Sequence, residues 1–354
     1  MRFNAISGTI TGRAIFKDPA IFLAGLTGTN TPGNVYFVDG THGSDTFDGK
    51  GWTTAKATIQ AGVDLASAGD TIYVAPKEMT GGESDPSSYA ENVIIPATCA
   101  SLSLIGINRG RTQGGLPQIK KGGSACTALL TVRAPGCLIM NLGFNGNSAA
   151  GAPINIGIKL DDNSGLAAAS GGETKSAFGT TIANCHFKNC AGTNILDAST
   201  GGAILLAGAP WQVWIVGNRF YKNRADITTA STYSDLQDLI IEDNIFSGNA
   251  ADVDCNIYSV AGGGGNLGVT IRNNVFNQLP ALSSGVRKRY MILTGCTGMI
   301  VGNTFGCQTS GTGGTIKTFN VGGTAAEIPV TMHVADCWGQ SLTACATGGE
   351  ISIA

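Results

Sequence analysis

The chain has 354 residues and a formal net charge of −2, and only 13% of its residues are charged, about half the usual share. Nucleic-acid binding is not expected, because it needs a basic face that neutralises phosphates, and no apolar run reaches the roughly 18 residues of a membrane span. The N-terminus lacks an apolar segment followed by a small-residue cleavage site, which predicts a protein made without a Sec signal. The 52 glycines indicate many tight turns between short strands.

Residues 1–34 form the first predicted segment, and they do not share the pattern of the rest of the chain. The stretch ITGRAIFKDPAIFLAGLTG is apolar, with Pro19 as a break. An arm of this kind either packs along the main body or docks onto another molecule. Because it is longer than a cap requires, docking to a larger assembly is favoured.

Residues 35–69 have the pattern of a compact cap, with the strand VYFVDG, the turn GSDTFDGKG and a short helix over 54–68. Ile59, Val63 and Ala66 lie on one face of this helix. A Gly-Asp pair then ends the helix, and TIYVAP begins a new strand. The open end of a stacked β structure exposes core and strand edge, so this helix is expected to cover that end.

A phrase with the skeleton Ile-x-x-x-x-Phe recurs within residues 70–308. The copies are IMNLGFNGN, IANCHFKNC, IVGNRFYKN, IEDNIFSGN, IRNNVFNQL and IVGNTFGCQ, whose phenylalanines are Phe144, Phe187, Phe220, Phe246, Phe276 and Phe305. Successive phenylalanines are 26 to 43 residues apart, and a spacing of this size is typical of stacked supersecondary units. The residue two before the Phe is Asn in the last four copies, and Leu142 or Cys185 in the first two.

These repeats predict a parallel β-helix over 70–308, because the units are β-rich and show no helical period. The Ile and Phe side chains are expected to point inward and to stack on their equivalents in the next coil. The Asn is expected at a tight bend, because it tolerates the left-handed conformation and can hydrogen-bond to its neighbour. Cys or Leu at that position need only fill interior space. The phrase is therefore predicted to be structural, without a chemical role.

Residues 309–354 follow the last phrase and are predicted to close the solenoid. The segment IPVTMHV at 328–334 alternates apolar and polar residues, as a half-buried strand does. It is expected either to cap the solenoid or to pair with a neighbouring subunit.

The cap and the repeats resemble right-handed parallel β-helix proteins of the pectate-lyase-like superfamily. The resemblance lies in the G-S-D-x-x-x-D-G turn, the T-I-Q-A helix, the strand A-G-D-T-I-Y-V-A-P and the repeated phrases. It implies the fold more than the function, because the superfamily includes polysaccharide lyases, glycoside hydrolases, epimerases and phage spikes and fibres. Of the polygalacturonase-like motifs only an Asp-Asp pair, Asp161-Asp162, is present, and VRAPG at 132–136 lacks the second Arg of a pectate-lyase-like motif. Both enzyme classes are therefore disfavoured.

Asp226 and Asp252 are the candidate catalytic residues, because each follows the Phe of its phrase by six positions. Equivalent positions in adjacent coils would stack the two carboxylates about 5 Å apart, as in retaining glycosidases. Such a pair would serve catalysis or sugar binding, with Asp254 nearby as a candidate for sugar binding, or it would hold Ca²⁺. The favoured alternative is a solvated loop in which the two residues never meet. No catalytic residue is therefore assigned, and no metal or other cofactor is expected.

Trp211 and Trp214 are candidates for stacking on a sugar. They are three apart on a predicted strand and should face opposite sides, so at least one is expected in the core, and wall packing is favoured. Cys185, His186 and Cys190 lie close together but do not match zinc spacing, and His186 is expected at the surface of a strand. The ten cysteines include no Cys-x-x-Cys and are expected to be mostly buried free thiols.

These features favour a phage-type virion surface protein, either a capsid decoration protein or a short spike or fibre. It would be a homotrimer assembled in the host cytoplasm, would dock to capsid or tail proteins through residues 1–34, and has a surface polysaccharide as a further candidate partner. The alternative is a polysaccharide lyase or glycoside hydrolase that uses Asp226 and Asp252 or a site that the sequence does not reveal. A third alternative, a bacterial surface adhesin, would have been favoured by a Sec signal or a long repeat array.

Overall fold

The structure is a computed structural model, and all of its described residues belong to one unit, Gly33–Ala354. The described residues are 33–77, 88–107, 115–122, 126–146, 154, 156–161, 177–190, 202–207, 210–229, 237–247, 255–260, 266–278, 289–307, 331–340 and 348–351. Most of the predicted arm, residues 1–32, lies outside them.

The described strands form three sheets, and successive coils add one strand to each sheet in turn. Sheet A contains β1 (Val35–Val38), β2 (Thr71–Val74), β5 (Ser103–Gly106), β8 (Leu138–Met140), β11 (Thr181–Ala183), β14 (Trp214–Val216), β17 (Ile240–Glu242), β20 (Asn266–Arg272), β23 (Cys296–Val301) and β25 (Met332–Ala335). Sheet B contains β3 (Tyr89–Glu91), β6 (Gln118–Lys121), β9 (Gly143–Asn145), β12 (His186–Lys188), β15 (Arg219–Tyr221), β18 (Ile245–Ser247), β21 (Val275–Gln278), β24 (Thr304–Cys307), β26 (Cys337–Gln340) and β27 (Gly348–Ile351). Sheet C contains β4 (Val93–Ile95), β7 (Ala128–Val132), β10 (Ile156–Leu160), β13 (Ile204–Leu206), β16 (Ala225–Thr229), β19 (Cys255–Val260) and β22 (Arg289–Thr294).

The fold is the right-handed parallel β-helix that the sequence predicted. The Ile of each phrase pairs in register with the Ile of the next along sheet A, and the Phe does the same along sheet B. From Phe144 to Phe305 the rings of adjacent coils stack with centroids 4.5–5.0 Å apart and planes within 11° of each other. The strand spacing of a parallel sheet sets this separation, so the six phenylalanine rings form one stacked column in the interior.

The bend between sheets A and B contains an asparagine ladder. The backbone N–H of Asn218 donates to Oδ1 of Asn244 at 2.9 Å, and Asn244 and Asn274 donate in the same way to Asn274 and Asn303. Cys185 starts the ladder by donating to Asn218 at 2.8 Å. Each coil thereby satisfies a buried backbone donor of the preceding coil, which confirms the expected bond between neighbours.

The left-handed conformation at this bend belongs to a different residue from the one predicted. The ladder asparagines are not among the residues with positive φ. The residue just before each ladder position has that conformation instead: Asn141, Asn184, Gly217, Asp243, Asn273, Gly302 and Asp336. A left-handed residue bends the chain sharply between the two sheets, and the buried side chain that follows it makes the bond to the next coil.

The capping helix α1 (Ile59–Leu65) is shorter than predicted. Asp45 Oδ1 accepts the backbone N–H groups of Ala57 and Thr58, each at 2.9 Å, and Thr58 itself is the N-cap, so the chain cannot be helical from residue 54. A separate single turn, η1 (Trp52–Thr54), precedes it. The carboxylate of Glu91 accepts from the backbone N–H groups of the first two helical residues, which joins the cap to the first coil of sheet B.

The solenoid continues beyond the last recognisable phrase. Strand β25 extends sheet A, with Val334 in register with Ile300, and β26 extends sheet B. Strand β27 then pairs antiparallel with β26, unlike the parallel pairs that precede it in the described strands. An antiparallel strand changes the direction of the chain at the edge of the sheet and so ends the parallel stacking. Residues 328–330 of the predicted C-terminal strand lie outside the described residues.

Candidate functional site

The outer face of sheet A has an exposed tryptophan that neighbouring coils hold in place. Trp214 is 42% exposed, and its indole Nε1 donates to Oε1 of Glu242 at 2.7 Å. The register aligns Trp214 with Ile240, and it aligns Val216 with Glu242 and Glu242 with Arg272. The indole therefore reaches diagonally to the next coil, as large side chains do across paired strands.

Glu242 is fixed on both sides. Its other oxygen, Oε2, accepts from the guanidinium Nε of Arg272 in the following coil. The Glu242 side chain is buried, whereas that of Arg272 is 45% exposed. The hydrogen bond to Glu242 and the charge of that carboxylate raise the pKa of Arg272, so the arginine stays charged. We call the set Trp214, Glu242 and Arg272 the sheet A platform.

The platform combines a flat apolar surface with charged groups at its edge. The outward column that contains Trp214 continues through Ile240, Thr270, Met299 and His333. Met299 is 45% exposed. An aromatic ring with a fixed orientation loses little conformational entropy on binding, and nearby polar groups can orient a ligand. This surface can therefore bind a molecule that has both apolar and hydroxyl-bearing faces.

Trp211 does not belong to the platform, and the predicted geometry of the two tryptophans was wrong. Trp211 lies in the turn before β14, not on the strand, and Gln212 between them has a left-handed φ of 57°. Trp211 is half-buried, and its carbonyl accepts from the N–H of Gly179 at 2.7 Å. Val213 fills the interior position of this coil, so neither tryptophan is a fully buried core residue.

Asp226 lies in the interior of the solenoid. The register along sheet C places it at the same position as Leu129, Ala203 and Tyr290, which belong to the main hydrophobic core. It accepts from Asn223 Nδ2 at 2.9 Å and, in the next coil, from Nδ2 of the residue in register with it at 2.6 Å. Burial raises the pKa of Asp226 to about 7. A carboxyl in this position cannot contact a polysaccharide on the outer surface.

The candidate pairing of Asp226 with Asp252 does not follow the observed register, as the favoured alternative predicted. Ala225 pairs with Cys255 and Ile227 with Ile257, so the residue opposite Asp226 in the next coil is Asn256. Asp252 and Asp254 themselves lie outside the described residues, and so their use in sugar binding stays a prediction.

Sheet C has a charged cluster on its outer face. Asp161 follows β10 directly and is buried. Its carboxylate lies 3.3 Å from Nε of Arg133 and 3.2 Å from Nζ of Lys159. Two cations around one carboxylate compensate its burial, so these ion pairs have a structural role. Asp162 lies outside the described residues.

The Cys185–His186–Cys190 segment does not converge on a metal. The thiols of Cys185 and Cys190 belong to the main core, whereas His186 precedes the inward Phe187 and lies on the outer side of sheet B. Burial raises the pKa of each of these two thiols to about 12. The described residues contain no group of three or more His, Cys, Asp or Glu side chains that could hold a metal ion.

The predicted buried free thiols are confirmed at the described cysteine side chains. These are Cys99, Cys126, Cys137, Cys185, Cys190, Cys255, Cys296 and Cys337. The expectation that His186 lies at the surface of a strand is wrong, because this residue is only 4% exposed. In the described part of the chain, no helix is both long and apolar enough to cross a membrane.

Comparisons with known proteins support the fold. Neither a protein-family model nor a curated protein matches the chain. Among solved structures, the native GH136 lacto-N-biosidase from Eubacterium ramulus is 12% identical with a TM-score of 0.50, and the match covers 77% of this chain and 51% of that one. Its selenomethionine derivative gives 12% identity, a TM-score of 0.47 and coverage of 86% and 67%. A rhamnogalacturonan lyase gives 13% identity, a TM-score of 0.39 and coverage of 86% of both chains.

The chain spans about half the length of the first of these structures. At 12% identity the likeness shows the fold alone, a parallel β-helix. The functional interpretation therefore depends on the side chains of this protein.

The sequence contains a signal for the part of the platform that we did not predict. Glu242 and Arg272 each follow the Ile of their phrase, in IEDN and IRNN. Opposite charges at the same position of successive phrases indicate an ion pair between adjacent coils. Trp214 precedes the Ile of IVGN, so it lies on the same outer face.

Proposed function

We propose that this protein is a glycan-binding β-helix and that a surface oligosaccharide or polysaccharide binds across the sheet A platform. The observation that carries this proposal is the exposed Trp214 ring, held by Glu242, which Arg272 holds in turn. The apolar face of a pyranose ring can pack on the indole, and its hydroxyl groups can pair with the carboxylate and the guanidinium. The fold likeness to a carbohydrate-active enzyme is compatible with this function but does not carry it.

Replacing Trp214 by alanine is expected to weaken glycan binding by about tenfold or more, because truncation of a central aromatic anchor costs on the order of 2 kcal/mol. A glycan array with neutral and acidic polysaccharides would identify a ligand, and tryptophan fluorescence would give its dissociation constant. Trp338→Ala is the matched control, since Trp338 is 60% exposed on the last coil of sheet B. Equal binding by the Trp214→Ala variant, or no bound glycan on the array, would count against the proposal.

Polysaccharide cleavage is the alternative function. On the platform, Glu242 is engaged by both Trp214 and Arg272, whereas a glycosidase of the usual type uses two carboxyls on either side of the scissile bond. This arrangement favours binding without cleavage. Incubation of the bound glycan with the protein, followed by measurement of new reducing ends and of unsaturated products, would distinguish the two functions.

A more specific form of this proposal is that the protein is a virion decoration protein or short spike. It would form a homotrimer and dock through residues 1–34. Light scattering of the full chain is then expected to give the mass of a trimer, and deletion of residues 1–32 should abolish incorporation into particles. Deletion at Pro32 is chosen because Gly33 begins the described unit. A monomer, or a deletion variant that is incorporated normally, would contradict this role and leave glycan binding intact.

A further inference from the structure

The outer face of sheet B has a second polar region, away from the sheet A platform. The register aligns Gln118, Gly143, His186 and Arg219 in one outward column across four coils. The first three are buried and Arg219 is half-buried. Polar side chains buried on the outside of a solenoid are not needed to fill its core, so their arrangement indicates another role.

His186 has an unsatisfied polar atom in this column. The side chain is 4% exposed, and its Nε2 has no hydrogen-bond partner among the described residues. Burial, together with the positive charges of Arg219 and Lys188, lowers the pKa of His186 to about 4. The ring is therefore neutral at pH 7, and its N–H can donate to an acceptor that enters the site. A buried polar atom without a partner is unfavourable, and a ligand atom would relieve that cost.

Arg219 lies beside His186 in the next coil. Over the described ranges, its guanidinium has neither a carboxylate partner nor a hydrogen bond. Lys188 adds positive charge to the same face but has interactions of its own. The arginine is half-buried, so a ligand can reach the column from its side. An unpaired guanidinium presents a fork of donors that matches the oxygens of a carboxylate or phosphate.

Gly143 and Gln118 complete the site. Gly143 has no side chain between Gln118 and His186, and a Cβ at this position would lie 3.5 Å from Gln118. Oε1 of Gln118 accepts from Ser88 Oγ at 3.0 Å and from Asn145 Nδ2 at 3.2 Å. These two bonds fix the amide and leave its nitrogen as a donor. The register therefore places three side-chain donors along one outward column, with no side chain at the position of the glycine.

We propose that Gln118, His186 and Arg219 form a binding site for a single oxyanion group, either a phosphate or the carboxylate of an acidic sugar. The site lies on a different sheet from Trp214, so it goes beyond the proposed glycan binding and does not depend on it. The oxyanion accepts from the guanidinium, from the imidazole N–H and from the amide of Gln118. The negative charge of the oxyanion offsets the positive charge of the arginine, and its oxygen accepts a hydrogen bond from the buried Nε2 of His186.

Isothermal titration calorimetry of the full chain with inorganic phosphate, sodium glucuronate and glucose tests this site. Arg219→Gln is expected to weaken binding of the oxyanion by about tenfold or more, because a hydrogen bond to a charged group is lost. Lys222→Gln is the matched control, since Lys222 is an exposed cation three residues further along the same coil and its Nζ lies over the Tyr221 ring. This variant removes the same charge and should change affinity by less than about twofold.

The wild-type protein gives an independent measurement that requires no variant. The chain has three histidines, so their ring resonances can be followed individually by NMR. Phosphate or glucuronate should shift the His186 ring and leave those of His42 and His333 unchanged. Binding of phosphate alone, of glucuronate alone or of both supports the site and identifies the source of the oxyanion. The proposal is overturned if neither binds, if glucose binds equally well, or if the two variants weaken binding equally. Trp214→Ala should leave these results unchanged.

Discussion

Replacing Asn244 by alanine is expected to lower the free energy of unfolding by about 3–5 kcal/mol, because several buried groups lose their partners at once. Oδ1 of Asn244 accepts from the backbone N–H of Asn218 at 2.9 Å and from its Nδ2 at 3.1 Å. Nδ2 of Asn244 donates to the carbonyl of Ile215 at 2.9 Å and to Asn274 at 3.0 Å. The site is fully buried, so water cannot replace these bonds.

Urea denaturation followed by circular dichroism would measure the effect on stability. Ile245→Ala is the matched control, because Ile245 is the next residue along the chain and is 41% exposed on the outer face. This control is expected to change stability by less than about 1 kcal/mol. A loss of under about 1 kcal/mol in the Asn244→Ala variant would show that the ladder is not a principal source of stability.

The interior columns were predictable from the sequence because the same physical requirement acts in every coil. Each Ile and each Phe must fill the same interior space, so the spacing of five residues between them is kept while the loops vary. The bend between sheets A and B is short and has a constant length, which fixes the register of both sheets. The outward positions next to Ile and Phe share that register, and so the ion pair of Glu242 with Arg272 could be predicted from the sequence.

The position of Asp226 could not be predicted from the sequence in the same way. The connection between sheets B and C varies in length, so counting from the Phe does not give the register of sheet C. Asp226 follows its Phe by six residues, whereas Asn256, which occupies the same position in the next coil, follows Phe246 by ten. Counting six from Phe246 gives Asp252, whereas the register places Asn256 opposite Asp226. Only the strand pairing reveals that Asp226 faces the core.

Replacing Asp226 by asparagine is expected to remove a large pH dependence of stability. The pKa of Asp226 in the folded protein is about 7, above its ordinary value of 3.8. The folded state therefore holds a proton that the unfolded state releases between these values, and the unfolding free energy falls as pH rises. The unfolding free energy is highest below about pH 4 and is lower by on the order of 4 kcal/mol above about pH 7, because the buried carboxyl must then ionise in the folded protein.

The unfolding free energy of the Asp226→Asn variant should therefore depend less on pH. Above pH 7 the variant should be more stable than the wild type. Its amide oxygen can accept from Asn223, whose Nδ2 is also fixed by the carbonyl of Phe187 at 3.1 Å. Its new Nδ2 then faces Asn256, which must turn its amide to present an oxygen. If Asn256 cannot turn, the unsatisfied amide lowers the unfolding free energy of the variant by about 1–3 kcal/mol at every pH, but the weaker dependence on pH remains.

Chemical denaturation at a series of pH values from 4 to 9 would measure this curve. Asp243→Asn is the matched control, because Asp243 is exposed at the bend and asparagine also tolerates its left-handed φ of 55°. The control should follow the wild-type curve. If Asp226→Asn also follows it, Asp226 is ionised throughout this range and its burial does not control its titration. If instead the variant folds normally but no longer cleaves a polysaccharide that the wild type cleaves, Asp226 is a catalytic residue and its interior placement is wrong.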